Sequence, residues 1–414
     1  MARRLQEASR PVPAGVGPAP ARTVHSGPVL AFLTLLHILG CLLVVAVFFA
    51  PSGAPALLNL LKGILREYSL VLLLPALMTV LVTAWAWRAG VAGWLRWSAG
   101  AGALLVLSCA VMPAASAGGL ARTHGLPLSL REYFRPLVDD RPPPDQTVRF
   151  ATVEGRELRA DVFLPEGTAS GPRPAVLYLH GGGWTGGERG YGRAWARFFT
   201  SRGYAFFSLD YRRFPPATAL KAPGDVKCGI GWLKAHAATW GIDPERLVLL
   251  GESAGGHLAL LAAYTAGDAR IPPSCEAEDT SVRAVISFYG PSELTVYARD
   301  GARGSRQNLE GYVGAPLETG RELYALLSPM THVRPGLPPT LLLHGGADSV
   351  VPPWQSRALA SRLEANLVPQ QCFTLPYAEH GFDIWDGGFG RQLSRALVER
   401  FLQRHVPVEG PRQP

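Results

Sequence analysis

A serine framed by glycines is the residue in this chain with the clearest chemical potential. Ser253 lies in the segment GESAGG (251–256), which directly follows the apolar run 247–250 and precedes a helix-forming run at 257–263. A strand, a tight turn and a helix in that order form a nucleophile elbow. Glycines let the backbone turn sharply there, so that the serine hydroxyl projects from the end of a sheet. The segment therefore predicts a serine nucleophile.

A histidine and three glycines form a second motif upstream of the serine. The segment HGGGW (180–184) directly follows the strand-like run 175–179. Glycines in such a loop can aim backbone N–H groups at the negative oxygen that develops when a carbonyl is attacked. In a chain with 46 glycines each motif alone is weak, but the two in this order indicate acyl-transfer chemistry.

A serine nucleophile needs a base, and the base needs a carboxylate that orients it. Asp348 lies just after the predicted strand 340–343, and His380 lies in a loop after the next predicted strand, 372–375. Both follow strands at the sheet edge where Ser253 must also lie, so the three side chains can converge. Their order along the chain, Ser, Asp, His, is the order of one known fold that carries this chemistry.

Other residues compete for these two roles. Asp383 and Asp386 follow His380 too closely in sequence for the usual geometry of the orienting acid. His344 ends a strand beneath the acid loop and is expected to be structural, and His332 is the other competing histidine. Asp348 and His380 are therefore the predicted acid and base.

Several neighbours of these motifs are expected to support the site. His180 and Gly181 are expected to shape the oxyanion loop, with His180 a structural residue more than a proton carrier. Glu252 either supports the site electrostatically or is simply solvated, and Trp184 either lines the acyl pocket or covers the loop. His257, on the first turn after the elbow, is expected to pack against its neighbours or to lie behind the site.

The elements that must position these residues begin at about residue 147. Runs 148–153 and 158–164 predict a hairpin, and strand and helix signals then alternate to about residue 402. Apolar strands that alternate with helices predict an α/β domain, with a mostly parallel sheet covered by helices on both faces. The segment 291–333 interrupts this pattern as a long, irregular insertion. It is either a lid or binding loop or a tolerated surface loop.

The region before this domain is predicted to be an all-α membrane region of about three helices. Segments 30–50, 68–87 and 98–121 are each long and apolar enough to cross a bilayer. The third contains Pro113, and its alternative is an interfacial or loosely buried helix. The alternative for the first is a signal peptide, which its length and the two apolar segments that follow disfavour.

This organisation divides the chain into five segments. They are a disordered tail (1–27), a transmembrane region (28–121), a connector (122–146), an α/β catalytic domain (147–405) and a C-terminal tail (406–414). Three spans with a cytoplasmic N-terminus would place the catalytic domain outside the cytoplasm, and two would place it inside. The arginine bias that favours the first arrangement is slight.

Composition excludes some functions. The net charge of +8 comes from scattered arginines, with no basic run interleaved with aromatics, so we expect no nucleic-acid partner. No group of cysteines and histidines has metal-ligand spacing, so we expect no metal, and no cofactor is predicted. Of the five cysteines, Cys228, Cys275 and Cys372 lie in the catalytic domain, where one disulfide is possible but no pairing is defined. Oligomeric state is not predicted.

The segment 147–405 resembles the hormone-sensitive-lipase-like carboxylesterases of the α/β-hydrolase fold, which carry an HGGG oxyanion motif and a GDSAGG elbow. The sequence DYR at 210–212 also resembles a stretch of that family. The resemblance implies that Ser253 attacks an ester carbonyl, that His380 moves the proton and that Asp348 orients His380. It further implies an oxyanion hole formed by the backbone N–H groups of Gly182, Gly183 and Ala254, which occupy the matching positions of the two motifs.

The chain departs from that family at three points. Glu252 stands where aspartate is commoner, RFPPA (213–217) replaces the usual LAPE, and the large N-terminal cap is replaced by the membrane region and connector. The expected function is thus a membrane-anchored serine carboxylesterase acting on a small-molecule or lipid-like ester. The alternatives are a serine peptidase of the prolyl-oligopeptidase type and a catalytically silent hydrolase-like binding protein.

Overall fold

The computed structural model describes residues 27–51, 54–134, 141–167, 171–300 and 303–408. The predicted disordered tail, apart from its last residue, and the end of the C-terminal tail therefore lie outside the described residues. The N-terminal helices are α1 (Gly27–Phe48), α2 (Ala56–Glu67), α3 (Leu73–Arg88), α4 (Gly93–His124) and the single turn α5 (Leu130–Tyr133). The strands are β1 (Gln146–Val153), β2 (Arg156–Phe163), β3 (Arg173–Leu179), β4 (Ala205–Leu209), β5 (Ile242–Glu252), β6 (Ala284–Phe288), β7 (Thr340–Gly345) and β8 (Gln370–Leu375). The other helices are α6 (Arg193–Thr200), α7 (Lys221–Ala235), α8 (Ala237–Trp240), α9 (Ala254–Tyr264), α10 (Leu294–Asp300), α11 (Arg303–Val313), α12 (Leu317–Leu326), α13 (Trp354–Ala365) and α14 (Phe389–His405).

Three helical stretches near the N-terminus are long and apolar enough to cross a membrane. They cover Pro28–Phe48, Ser69–Arg88 and Gly93–His124, with mean hydropathies of 2.7, 2.1 and 1.8. The third runs through Pro113 as one continuous helix. Large apolar side chains on the outside of all three are exposed, which is compatible with membrane association.

The described strands form one eight-stranded sheet in the order β1-β2-β4-β3-β5-β6-β7-β8. The first two pairings, β1 with β2 and β2 with β4, are antiparallel, and the remaining strands are parallel. The predicted hairpin and the mostly parallel sheet are therefore confirmed. Because β5, β7 and β8 are parallel and near one another, the segments that follow them leave the sheet at the same edge.

Apolar side chains cover both faces of this sheet. Along β3, Leu177 and Leu179 lie in one buried cluster with α7, α9 and α13, while Val176 and Tyr178 lie in the other with α6 and α14. This alternation is the two-residue period of a strand that is buried on both sides. The end of α4 also joins the second cluster through Ala117 and Ala121. A disulfide between Cys228 and Cys275 ties α7 to the loop after α9.

The segment 291–333 differs from its prediction as an irregular insertion. Most of it is helical and forms α10, α11 and α12. In α11, the residues Leu309, Tyr312 and Val313 are buried, a spacing that places them on one face of a helix against the domain. These helices are short, and arginines and glycines lie between their apolar positions, so the sequence pattern hides them.

Candidate active site

Ser253 lies at the sharp turn between β5 and α9. Its backbone has φ 52° and ψ −118°, a conformation that non-glycine residues rarely adopt and that is typical of strained functional turns. Glycines make this turn possible. A Cβ at Gly251 would lie 2.2 Å from the Gly255 carbonyl oxygen, and one at Gly255 would lie 2.1 Å from the carbonyl oxygen of Leu179. Neither position can carry a side chain without moving the backbone of β3 or α9.

The structure brings the predicted serine, histidine and aspartate together in a chain of hydrogen bonds. His380 Nε2 lies 2.9 Å from Ser253 Oγ, and His380 Nδ1 lies 2.7 Å from Asp348 Oδ2. One ring nitrogen thus faces the hydroxyl and the other faces the carboxylate. This geometry allows His380 to accept a proton from the serine while Asp348 holds the ring's other N–H.

Asp348 is held as a carboxylate by its surroundings. Its Oδ1 accepts the backbone N–H groups of Val350 and Val351, each at 2.8 Å. Burial alone would raise the pKa of this acid, but the charge of His380 and hydrogen bonds from His344 and His380 hold the pKa below its usual range. His344 itself lies between Ser356 Oγ at 2.6 Å and the Val351 carbonyl at 2.9 Å, behind Asp348 and away from Ser253.

The glycine loop after β3 lies directly beside the serine. A Cβ at Gly181 would lie 3.4 Å from the Cβ of Ser253, and Gly182 and Gly183 both have positive φ, at 126° and 59°. Across the described part of the chain, no protein acceptor is within hydrogen-bonding geometry of the backbone N–H groups of Gly182, Gly183 and Ala254. These three donors flank Ser253 and are available to an external oxygen.

The supporting histidines are buried and neutral. Burial lowers the pKa of His180 to about 4, and its ring stacks on Tyr211 at 4.3 Å between centroids. Burial likewise lowers the pKa of His257 to about 4. His257 Nδ1 accepts a hydrogen bond from Trp184 Nε1 at 3.2 Å. Trp184 lines the cleft over Ser253 and also stacks on Tyr312, so it both borders the pocket and covers the loop.

Glu252 belongs to a buried acidic group that the sequence does not reveal. Its carboxyl accepts hydrogen bonds from Tyr178 Oη at 2.8 Å and Trp195 Nε1 at 2.9 Å, so it is not solvated. Asp383, in the loop that carries His380, accepts a hydrogen bond from Tyr289 Oη at 2.5 Å. Burial raises the pKa of Glu252 well above its usual range, and the nearby Asp383 carboxyl adds to that effect. Glu252 is therefore harder to ionise than an exposed glutamate.

Tyr289 is a residue of the site that the sequence alone misses. Its ring packs against the His380 imidazole with centroids 4.4 Å apart, and its own backbone has φ 40°. It follows β6 directly, so it stands at the same sheet edge as Ser253. An aromatic residue after the strand next to the elbow is the only signal that could have identified it.

A cleft of about 340 Å³ opens over Ser253 and His380. The helical insertion contributes Tyr297, Ser305 and Asn308 to its wall, and Ile384 comes from the histidine loop. A larger cleft, of about 420 Å³, lies between α6 and α14 and contains none of the site residues. We found no group of three potential metal ligands among the described residues. The predicted site residues therefore border the smaller cleft.

The chain is similar to known esterases. A family model described as BD-FAE matches residues 160–363. The probable carboxylic ester hydrolase LipM of Mycobacterium tuberculosis is 32% identical over 291 residues, which cover 69% of this chain and 65% of LipM. Esterase LipQ of the same organism is 33% identical over 249 residues, which cover 59% of each chain. The match thus spans less than two thirds of the length of either relative.

A solved structure supports the same conclusion. The esterase Est2 of Thermogutta terrifontis, with propionate bound, matches with a TM-score of 0.54 and 25% identity, covering 66% of this chain and 98% of Est2. A mostly parallel sheet with a serine at the strand-to-helix turn defines an α/β-hydrolase fold. Together with these relatives, it confirms the predicted resemblance to the carboxylesterases of that fold.

Proposed function

We propose that this protein is a membrane-anchored serine carboxylesterase that forms an acyl-enzyme on Ser253. The observation that carries the proposal is the position of the His380 ring, with Nε2 2.9 Å from Ser253 Oγ and Nδ1 2.7 Å from Asp348 Oδ2. The distances suit proton transfer without rearrangement of the protein. The esterases LipM, LipQ and Est2 support an ester as the substrate class.

The reaction follows from these contacts. As Ser253 Oγ forms a bond to the ester carbonyl carbon, its proton passes to His380 Nε2. The bond between the carbonyl carbon and the alcohol oxygen then breaks, and His380 gives the proton to that departing oxygen. Water repeats the sequence on the acyl-enzyme, which releases the acid and restores Ser253. Asp348 stabilises the imidazolium that exists between the two proton transfers.

The oxyanion of each tetrahedral intermediate would accept hydrogen bonds from the backbone N–H groups of Gly182, Gly183 and Ala254. Such donors need little reorganisation where the loop and the elbow already hold them beside Ser253. Each is worth roughly 3 kcal/mol of transition-state stabilisation in a site that excludes water. His180, Gly181 and Trp184 keep this loop in place through their buried contacts.

The cleft has room for esters with short acyl groups. Its volume of about 340 Å³ is at the small end of ligand pockets, and the Tyr297 and Trp184 side chains close its walls. Est2, whose structure contains propionate, supports the same size class. We therefore expect turnover of short-chain esters, for which Est2 with propionate bound is the precedent.

We further propose that region 28–121 spans the membrane three times and that domain 147–405 lies outside the cytoplasm. The Phe48 carbonyl at the end of α1 accepts a hydrogen bond from Arg66, which also contacts Glu379 of the hydrolase domain. The His124 carbonyl at the end of α4 accepts one from Arg400 of the same domain. The start of α1 would then lie on the opposite side. The Cys228–Cys275 disulfide supports an oxidising compartment.

Hydrolysis of a p-nitrophenyl ester series, from acetate to palmitate, by detergent-solubilised protein tests this function. We expect Ser253→Ala to lose all turnover and Ser361→Ala, which changes a serine on the exposed face of α13, to keep it. Equal turnover in wild type and Ser253→Ala would refute the serine mechanism. Cleavage of a proline peptide anilide but no ester would favour the peptidase alternative.

A further inference from the structure

The short helix between the first two apolar spans makes a buried contact with the loop that carries His380. On α2, Lys62 Nζ lies 3.1 Å and Arg66 Nη1 lies 2.5 Å from Oε1 of Glu379, the residue directly before His380. The Lys62 and Glu379 side chains are 2% and 8% exposed, so this is an interior ion cluster and not a surface salt bridge. Buried carboxylates of this kind are strongly destabilised when one partner is removed.

The same helix also holds the other end of the histidine loop. Glu67 Oε2 accepts the backbone N–H of Gly390 at 2.8 Å, where α14 begins. The neighbouring Tyr68 donates its hydroxyl hydrogen to the carbonyl of Asp386. The segment 379–390, which contains His380 and the cleft residue Ile384, is thus fixed at both ends by one helical segment.

Glu379 also links the loops of the base and the acid. Its second oxygen, Oε2, accepts the backbone N–H of Ser349 at 3.3 Å, directly after Asp348. The cations of Lys62 and Arg66 therefore hold a carboxylate that touches both loops whose side chains form the His380–Asp348 pair. A shift of about 1 Å in such a pair can lower turnover about 100-fold.

We propose that α2 is a positioning element of the active site, in which Lys62 and Arg66 hold Glu379 and thereby align His380 between Ser253 and Asp348. This inference rests on the proposed function of those three residues. The membrane region would then do more than anchor the domain, since the segment between its first two spans completes the support of the catalytic base. Arg66 itself is tied to the end of α1 through the Phe48 carbonyl at 2.8 Å.

The test compares Arg66→Gln, Glu379→Gln and the double variant in the full-length, detergent-solubilised protein. We expect each single variant to lower kcat on p-nitrophenyl butyrate 10- to 100-fold with KM changed less than twofold. The double variant should lose no more than the worse single one, because both remove the same interaction. In Arg66→Gln the less neutralised Glu379 would favour the imidazolium, so the acidic limb of the kcat/KM profile should move to higher pH.

Arg88→Gln is the matched control, since it removes the same charge from the far end of α3, roughly 30 Å along the span from Tyr68. It should keep wild-type kcat and pH profile. Wild-type kcat and pH profile in folded Arg66→Gln would overturn the inference, and so would additive losses in the double variant. If Arg66→Gln does not fold, wild-type kcat in Glu379→Gln overturns it equally. Activity of Ser253→Ala would instead refute the proposed function, so the two failures are distinguishable.

Discussion

Glu67, the last residue of α2, is a buried acid whose ionisation should control how firmly the N-terminal helices hold the hydrolase domain. Burial raises its pKa from 4.5 to about 8, with the Asp383 charge adding to the increase and the Gly390 N–H opposing it. Between pH 4.5 and 8 the unfolded chain is therefore ionised at this residue while the folded protein is protonated. The unfolded state binds fewer protons, so stability falls as pH rises through this window.

The magnitude follows from the width of the window. A one-proton difference changes the free energy of unfolding by about 1.4 kcal/mol per pH unit, so the full interval amounts to about 5 kcal/mol. Glu67→Gln keeps the oxygen that accepts the Gly390 N–H but cannot ionise. We expect the variant to lack this part of the pH dependence, so that its stability relative to wild type rises steadily between pH 5 and 8.

Urea unfolding in one detergent at several pH values, followed by tryptophan fluorescence, measures the difference. Trp385 is a suitable reporter because its ring lies next to Gly63 on α2. Glu364→Gln, at an exposed position of α13, is the control and should run parallel to wild type. Parallel curves for wild type and Glu67→Gln over this range would refute the reasoning, since they would mean that Glu67 is already ionised in the folded protein.

Three further predictions concern the site and the domain. Asp348→Asn should lower kcat about 1,000- to 10,000-fold with little change in KM, because the amide no longer holds the His380 tautomer. Ester kinetics at saturating substrate measure this loss, and a loss smaller than about tenfold would argue against the role of Asp348. Replacing Cys228 and Cys275 with serine should lower the free energy of unfolding by about 4 kcal/mol, from the 47-residue loop that the disulfide closes, and the reductant dithiothreitol should lower it equally in the wild type. Gly255→Ala should give no folded protein on size-exclusion chromatography, because its Cβ would meet a β3 carbonyl at 2.1 Å; soluble, active protein would contradict the proposed packing of the elbow.

Local chemistry explains why much of this site could be predicted from the sequence. The Ser253 turn and the glycine loop depend on glycines at fixed offsets from strands, and those offsets are visible in the chain. Asp348 and His380 could be selected because parallel strands place their following loops at one sheet edge. The roles of these residues remain predictions, although the structure brings their side chains into hydrogen-bonding distance.

Other features depend on contacts that no local pattern records. Three cysteines in one domain permit several pairings, and only the fold brings Cys228 and Cys275 together. The helices of the insertion were missed because they are short and because arginines and glycines interrupt their apolar positions, as in α11. Glu252 lies next to the predicted nucleophile, where a glutamate can be either solvated or buried, so the sequence could not decide between the two. The raised pKa of Glu252 follows from its burial and from Asp383, while its hydrogen bonds come from Tyr178 and Trp195, and these partners lie in three distant parts of the chain.

Hydropathy assigns α2 to the N-terminal region, but in the fold its charged side chains contact the hydrolase domain. By composition, Lys62 and Arg66 are two positive charges in a short link between apolar spans, and they contribute only to a weak argument about orientation. In the folded chain the apolar side chains of Leu57 and Leu60 on the same helix are exposed, while its cations point to the interior and neutralise Glu379. One face of α2 is thus apolar and exposed, and the other is bonded to the histidine loop. The predicted boundary at residue 121 therefore marks a change in composition, but contacts cross it. Removing the N-terminal helices would therefore take both cations away from Glu379 and open it to water, and we expect such a truncated protein to lose kcat.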